Sequence, residues 1–257
     1  MWTGVIPADV QMPIQAGWWA QYAFTDRLGG VSAGEFSSWN VGVHVGDEPA
    51  SVHRNRELLA ERIAQVGVAQ PAPKLAVLQG VHGADVIVVD SNATQSNSGA
   101  DGIVTTSTGL AVVATAADCV PMVLADVTAG VVGAAHCGWV GLTVGIVDAV
   151  VDQMLALGAK PRNMVAVVGP AICGQCYGVP DERAEQVRQF VPTAVVQARN
   201  GGPGIDGRIG VLAQLSARRV SATTVGGCTF EDLDLYSYRR DGSTGRLGAA
   251  IVLRYAQ

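Results

Sequence analysis

The stretch from residue 109 to residue 151 constrains the fold more than any other part of this chain. It is strongly apolar, yet Asp118, Pro121, Asp126 and His136 interrupt it. No uninterrupted part reaches the roughly 20 apolar residues that a helix needs to cross a bilayer. We therefore interpret this stretch as buried strands and a helix of a soluble protein, with no membrane contact.

Hydrophobic patterns divide the chain into short strands and a few helices. Helices are predicted over 51–66 and 142–157, where apolar residues recur at helical spacing and a glycine follows. Ser51 is the expected N-cap of the first, and further helices are predicted from Pro180 and after Asp206. Short strands and turns are expected in the first forty residues, and a polar loop over 90–102. The other predicted strands cover 39–45, 75–78, 86–89, 110–117, 121–125 (continuing the previous strand after a kink), 130–135, 165–168, 220–225 and 247–255.

The chain shows no repeat, low-complexity tract or composition shift that would mark a domain boundary. Its 257 residues are 49% hydrophobic, enough for a sizeable core, and its 32 glycines indicate tight turns between short elements. We therefore expect one α+β domain over residues 1–257, with mixed β-sheets packed against helices.

Charge and cysteine content narrow the functional classes. The formal net charge is −5 and the pI is near 5.3. Nucleic-acid-binding domains usually present a basic surface, so we expect no nucleic-acid partner. The N-terminus lacks a basic region followed by an apolar core, so we expect no export signal and a cytoplasmic location. The five cysteines are then expected to be free or metal-bound thiols rather than disulfides.

Two histidines and one cysteine stand next to predicted strand ends. Cys119 and His136 each follow a buried strand, and His82 lies in a glycine-bracketed loop after a shorter one. Because consecutive strands are neighbours about two-thirds of the time, these ends can converge. Two imidazoles and a thiolate suit zinc, with copper as the main competitor, and three protein ligands leave a catalytic position open. The alternative is three ordinary core residues, because no short metal motif is matched.

Cys173 and Cys176 form a C-x-x-C motif, which occurs in redox pairs and in structural zinc sites. The motif does not follow the N-terminal βαβ pattern of redox proteins, and no second C-x-x-C completes a four-cysteine site. We therefore favour two unpaired thiols. Cys137 should face away from His136 along a strand, and Cys228 has no visible partner, so we expect structural roles for both.

Asp118 is a carboxylate beside a proposed ligand in an apolar segment, where an unpaired charge would be costly. It is predicted either to orient a histidine or to act as a general base near a metal-bound water. The alternative is a carboxylate that accepts hydrogen bonds from loop amides. His44 and His53 are expected to be an ordinary strand-turn residue and a helix-terminus residue.

Several short segments give the chain a family resemblance. They begin at Phe24 (FTDRLGGVS), Asn40 (NVGVHVGD), Gln79 (QGVHG), Thr115 (TAADCVP), Gly133 (GAAHCGW), Gly169 (GPAI) and Tyr238 (YRRDGSTGR). In this order they span nearly the whole chain, which resembles the YfiH-like proteins, also called the laccase-domain or polyphenol oxidase family. The resemblance implies the YfiH-like fold and puts the family's metal triad on His82, Cys119 and His136.

The resemblance also implies an enzyme that acts on purine nucleosides. Family members look like phosphate-dependent phosphorylases of adenosine, inosine and S-methyl-5′-thioadenosine, with adenosine deamination alongside. An older interpretation is copper-dependent oxidation of phenols. In this chain Arg27, Arg239 and the loop glycines are candidates to bind phosphate, and Asp118 is the candidate proton shuttle for deamination at a zinc-activated water.

Two positions depart from the family pattern. Val140 stands where the family usually has an arginine that can hold phosphate or orient a substrate, so this departure bears on phosphorolysis rather than on metal binding. Gly80 stands where the family often has a glutamine, and a looser loop before His82 is expected.

Other functions stay open at this point. A multicopper oxidase needs several copper centres, whereas the chain has four histidines in all. Cys119 and His136 also suit amide hydrolysis, as nucleophile and base. A non-enzymatic metal-binding protein with a decayed site is the remaining alternative, and Val140 is the feature that favours it.

Overall fold

The computed structural model describes residues 1–6, 17–93 and 96–256, so part of the segment predicted as strands before residue 40 (7–16) lies outside the description. The strands are β1 (Trp2–Ile6), β2 (Gly17–Phe24), β3 (Lys74–Gln79), β4 (Val86–Val88), β5 (Ser96–Ser98), β6 (Gly102–Thr105), β7 (Leu110–Ala116), β8 (Val120–Asp126), β9 (Val131–Cys137), β10 (Val165–Val168), β11 (Val195–Gln197), β12 (Pro203–Ile205), β13 (Ser221–Thr224) and β14 (Leu247–Ala256). The helices are α1 (Pro49–Ile63), α2 (Trp139–Val144), α3 (Ile146–Ala156), α4 (Asp181–Phe190), α5 (Gly207–Ala217) and α6 (Tyr238–Asp241). None of these helices has the length and apolar character needed to cross a membrane.

Most of the described strands belong to two six-stranded sheets. The first has the order β1-β2-β14-β7-β3-β5 and the second the order β13-β10-β8-β9-β6-β4, while β11 and β12 form a small pair. Each large sheet mixes parallel and antiparallel neighbours. In the first sheet β7 is parallel to β3 and antiparallel to β14. In the second sheet β10 is parallel to β13 and antiparallel to β8. With helices packed on these sheets, the predicted α+β class is confirmed.

The two large sheets pack face to face, and helices cover their outer faces. Alternate residues of β7 show this arrangement, because Val112 and Ala114 lie in the core between the sheets whereas Val113 packs with Leu59 of α1. In β8, Val123 faces the same inter-sheet core. The alternate residues of β8 and β9 pack instead with side chains of α3, α4 and α5.

Central strands that are buried on both faces explain the long apolar stretch of the sequence. Every residue of β7, β8 and β9 is buried. A strand with one face in solvent alternates polar and apolar residues, whereas a strand covered on both faces is apolar throughout. The predominantly apolar pattern of each of these strands is therefore a consequence of the layered fold.

The predicted continuation of one strand across Pro121 is wrong. The chain leaves the first sheet at the end of β7 and enters the second sheet at Val120, the first residue of β8. Between them Asp118 has a φ of 84°, in the left-handed region, which turns the chain from one sheet to the other. Cys119 therefore lies at the crossover between the sheets.

Two other predicted elements differ from the structure. The helix predicted over 142–157 is two helices, because Gly145 has a φ of 90° and interrupts it. The segment predicted as a strand over 39–45 forms no strand and contains a single 3-10 turn, Val43–Val45. There the Asn40 side chain accepts a hydrogen bond from the Gly42 amide, and such local bonds compete with a strand ladder.

The helix starts agree with the sequence in one case and differ in another. Asp206 caps α5, since its side chain accepts a hydrogen bond from the Ile209 amide, as predicted. Helix α1 begins before the predicted cap Ser51, at Pro49, whose missing N–H suits the first turn of a helix. The loop predicted over 90–102 also contains β5.

Candidate metal centre and the adjoining cavity

His82, Cys119 and His136 converge at one point. Their candidate ligand atoms all lie within 4.8 Å of one another, and Cys119 Sγ lies 3.7 Å from His82 Nε2. The rings of His82 and His136 lie edge to face, with centroids 4.9 Å apart. His82 is exposed and His136 is buried, so the cluster is accessible from one side.

The fold brings these residues together by a route that the sequence did not indicate. Strands β8 and β9 are antiparallel neighbours, with Pro121 opposite His136. Cys119 therefore lies beside the end of β9 because it precedes β8, whereas β7, the strand expected to place it, belongs to the other sheet. His82 reaches the site from the loop after β3, with a φ of 64° that is uncommon for a residue other than glycine.

Asp101 is a site residue that the sequence analysis missed. Its fully buried carboxylate lies 2.8 Å from His136 Nδ1, which therefore donates to it, and it also accepts bonds from the amides of Val81, His82 and Gly83. Histidines that bind metals are commonly oriented in this way, with the other ring nitrogen left for the metal. In the sequence, the feature that could have pointed to Asp101 is its position as a lone carboxylate directly before the apolar strand β6.

The loop before His82 is held closely, so the expected looser loop is not found. A Cβ at position 80 would lie 2.4 Å from His136 Nδ1, and a Cβ at Gly138 would lie 2.5 Å from the ring of His82. Gly80 and Gly138 therefore let the backbone approach the two imidazoles. The amide bonds to Asp101 then fix the loop.

The surroundings favour a thiolate at Cys119. Burial alone would raise the pKa of this thiol, but the imidazoles of His136 and His82 outweigh burial and lower the pKa to about 6. Burial alone would lower the pKa of His136, whereas the negative charges of Cys119 and Asp101 raise it. One thiolate and two imidazoles form a donor set that zinc and copper both accept.

We expect iodoacetamide to alkylate Cys119 of the metal-free protein readily at neutral pH. With a pKa of about 6 the thiolate dominates there, whereas a thiol with the ordinary pKa of about 8.5 is mostly protonated. Alkylation followed by mass spectrometry should level off near about pH 7, and a rate that still rises above about pH 8.5 would contradict the expectation. Protection by zinc would favour a metal ligand over a free catalytic nucleophile.

Replacing Asp101 with asparagine is expected to weaken zinc binding by roughly 10- to 100-fold, the usual effect of losing a group that orients a ligand. The amide has no charge and only one acceptor oxygen for the bonds that Asp101 receives. Competition against a zinc chelator measures the change. Asp90→Asn, in an exposed loop, is the matched control, and equal affinities in the two variants would contradict the assigned role.

A cavity of about 560 Å³ adjoins the candidate metal centre. Its volume lies within the range of about 300–1,000 Å³ typical of small-molecule sites. Among the described residues that line it are three arginines, Arg183, Arg239 and Arg246, and one carboxylate, Asp118, so the lining has an excess of positive charge. The described aromatic residues that line it, besides the histidines, are Trp139, Tyr177 and Tyr238.

Two of these arginines stack on aromatic rings. The Cζ atom of Arg183 lies 5.1 Å from the ring centroid of Trp139, and that of Arg239 lies 4.6 Å from the centroid of Tyr177. A guanidinium that lies over a ring keeps N–H groups at its edge for other partners. The stacking therefore holds both side chains in place for an anion, and one N–H of the Arg239 guanidinium donates to the carbonyl of Gly178 at 3.1 Å.

Asp118 lines the cavity but orients neither histidine. Its two carboxylate oxygens accept hydrogen bonds of 2.6 Å from the Thr229 hydroxyl and from the backbone amide of Arg239. The role of orienting a histidine belongs to Asp101. Asp118 instead ties the start of α6 to the crossover between the sheets.

Arg27 is not among the residues that line the cavity. Its Nε donates to a backbone carbonyl, and its guanidinium lies 4.9 Å from the ring centroid of Tyr236. The structure therefore does not bring Arg27 to Arg239 at one anion site. The arginines beside Arg239 are Arg183 and Arg246, which no local pattern distinguishes from other arginines. His44, expected to be an ordinary turn residue, also lines the cavity.

Known proteins resemble this chain over most of its length. The family model described as multi-copper polyphenol oxidoreductase laccase matches residues 21–254. A purine nucleoside phosphorylase of Streptomyces griseus is 45% identical over 237 residues, covering 91% of this chain and 94% of that protein. Another, of Streptomyces coelicolor, is 43% identical over 236 residues, covering 91% and 96%. The crystal structure of YfiH from Bacillus licheniformis aligns with a TM-score of 0.83 and 26% identity, covering 91% of this chain and 93% of that one.

Proposed function

We propose that this chain, which belongs to the multi-copper polyphenol oxidoreductase laccase family, is a metal-dependent purine nucleoside phosphorylase. The membership confirms the YfiH-like resemblance predicted from the motifs. The activity is supported by relatives that are named purine nucleoside phosphorylase. The observation that carries the proposal is one cavity that joins three candidate metal ligands to three arginines and three aromatic rings.

The donor atoms of His82, Cys119 and His136 suit zinc, which is the metal we propose, with copper as the alternative that the family description favours. Three protein ligands leave a coordination position open. A metal held there would supply Lewis-acid stabilisation of developing charge in phosphorolysis and, for deamination, an activated water of lowered pKa. Asp101 keeps His136 in the orientation that ligation needs.

The three arginines supply the anion site that phosphorolysis requires. In this reaction an oxygen of phosphate forms a bond to ribose C1′ while the bond from C1′ to the purine breaks. Arg183, Arg239 and Arg246 would bind the other phosphate oxygens through charge-assisted hydrogen bonds. Asp118 holds the amide of Arg239 and so positions this arginine at the cavity.

The rest of the lining is compatible with a purine nucleoside. Aromatic rings can stack on the base, and Val120, Ile172 and Ile205 add apolar surface. Such a surface suits the apolar 5′-methylthio group of S-methyl-5′-thioadenosine. We therefore propose adenosine, inosine and S-methyl-5′-thioadenosine as substrates, with adenosine deamination as a second activity at the same site. Asp118 is the carboxylate of the described lining that could accept the proton.

In the fold, an arginine from another helix takes the place of the arginine that the family usually has at the position of Val140. Val140 follows Trp139 in α2, and Arg183 of α4 stacks on this same tryptophan. A cation therefore reaches the cavity beside position 140 from another helix. We infer that Arg183 takes the phosphate-binding role, so that Val140 is no sign of a decayed site.

Incubation of the metal-replete protein with adenosine, inosine or S-methyl-5′-thioadenosine, with and without phosphate, tests the proposal. The expected result is phosphate-dependent release of adenine or hypoxanthine together with an equimolar amount of the ribose 1-phosphate product. Inosine formed from adenosine without phosphate reports deamination. Absence of free base and of inosine under all conditions would overturn the proposal, and nucleoside binding without turnover would favour a non-enzymatic protein.

Oxidation of phenols is the second candidate function, because the family description names it. The chain has four histidines, and two of them, His82 and His136, belong to the described cluster. Two histidine ligands are too few for the several copper centres that a multicopper oxidase needs. Stoichiometric copper and oxygen uptake with a phenol, without release of base from nucleosides, would favour this alternative.

A further inference from the structure

A second group of side chains that could bind a metal adjoins the cavity, since Ile172 and Tyr177 of the cavity lining flank Cys173 and Cys176 in the sequence. The thiols of Cys173, Cys176 and Cys228 and the carboxylate of Glu231 offer ligand atoms that all lie within 4.8 Å of one another. Cys228, which has no partner visible in the sequence, joins the C-x-x-C motif because it forms a parallel β-bridge with Ala171. The motif is therefore part of a larger cluster.

The four side chains belong to two short turns that share the same backbone hydrogen-bond pattern. The amide of Cys176 donates to the carbonyl of Cys173 at 3.0 Å, and the amide of Glu231 donates to the carbonyl of Cys228 at 3.2 Å. Each turn therefore carries its two candidate ligands three residues apart. The two turns face each other, since Cys176 Sγ lies 3.6 Å from a Glu231 carboxylate oxygen.

Hydrogen bonds around the cluster suit thiolate and carboxylate ligands. The backbone amide of Cys173 donates to Cys228 Sγ at 3.3 Å. Arg199 forms an ion pair with the Glu231 carboxylate, and its amide donates to the carbonyl of Gln175 inside the first turn. Groups that bind metals are commonly oriented by such outer contacts, which fix a carboxylate without occupying all of its lone pairs.

We propose that Cys173, Cys176, Cys228 and Glu231 bind a second metal ion, zinc, in a closed structural site. Four protein ligands complete a tetrahedron, which is the arrangement of structural zinc, whereas the candidate catalytic centre has three. Thiolates favour zinc over calcium or magnesium. A disulfide is the competing use of these thiols, but it would join two sulfurs, leave the third without a partner and make no use of Glu231.

A metal at this site would position the cavity wall without contacting substrate. Between the two turns and the cavity, Ile172 donates its amide to the carbonyl of Asp118, and the Thr229 hydroxyl donates to the Asp118 carboxylate. Tyr177, which follows Cys176, is the ring on which Arg239 stacks. Joining the two turns would therefore hold both Asp118 and Arg239 in place.

Metal analysis of the full-length protein, after zinc loading and passage over a chelating resin, tests the second site. We expect two equivalents of zinc per chain in the wild type and one each in Cys228→Ser, Cys176→Ser and Cys119→Ala. Replacement of zinc by cobalt in Cys119→Ala should give the strong near-ultraviolet absorption of several thiolate ligands, and adding Cys176→Ser should reduce it. Because the two sites are counted separately, failure at one leaves the other measurable.

The milder variant Glu231→Gln keeps the shape of the side chain and guards against loss of folding. It should release the second zinc to a chelator faster, whereas Glu185→Gln, an exposed glutamate on α4, should not. One equivalent of zinc in the wild type with none in Cys119→Ala would overturn the proposal. An intact mass that shows a disulfide among these cysteines in the zinc-loaded protein would overturn it too.

Discussion

Replacing Cys119 with alanine is expected to remove the metal of the candidate catalytic centre and to lower phosphorolysis by roughly 1,000-fold or more. The variant leaves two imidazoles, and two ligands are fewer than the three that catalytic zinc sites provide. Transition-state stabilisation by a metal amounts to several kcal/mol, and each ~1.4 kcal/mol corresponds to about tenfold in rate. Metal content and phosphate-dependent release of adenine, measured on one preparation, check the result.

Two histidine variants serve as the matched comparison for Cys119→Ala. His82→Ala removes an exposed imidazole of the cluster and should show the same joint loss of metal and activity. His53→Ala removes an exposed imidazole on α1 that lies beside Glu57 and outside the cluster, and it should change neither. A Cys119→Ala protein with undiminished phosphorolysis would exclude the proposed metal dependence.

Replacing Arg183 with alanine is expected to lower kcat/KM for phosphate by roughly 10- to 100-fold, because a hydrogen bond to a charged group contributes about 1.5–3 kcal/mol. The same variant should affect deamination of adenosine far less, since phosphate takes no part in that reaction. Initial rates at varied phosphate, with the nucleoside at saturation, separate the two effects.

The control for Arg183→Ala lies on the same helix. Arg188 is exposed and forms an ion pair with Glu185, so Arg188→Ala removes an equal charge from α4 away from the cavity. We expect normal phosphate kinetics from it. Arg183→Lys should recover part of the loss, because the charge stays while the planar fork and its stacking on Trp139 are lost. If Arg183→Ala and Arg188→Ala behaved alike, Arg183 would have no role in binding phosphate.

The sequence by itself determined several of the local elements and, through the family resemblance, indicated the candidate metal ligands. The residues of β7, β8 and β9 are apolar apart from Thr115, Asp126 and His136, and such a pattern indicates strands that are covered on both faces. Asp206 marks the start of α5 in the sequence, because its side chain is a typical N-cap acceptor. The motifs around His82, Cys119 and His136 point to the metal triad, because each motif is a short continuous segment.

Only the tertiary structure decided what surrounds the triad. Asp101 reaches His136, and Cys228 reaches Cys173, through strand pairings between distant parts of the chain, and no local period reports such pairings. Asp118 turns the chain into a different sheet, which a continuous apolar pattern cannot distinguish from a kinked strand. Arginines on helix surfaces look alike in sequence. Stacking on Trp139 at the cavity is what separates Arg183 from Arg27, and that contact exists only after the helices have packed on the sheet.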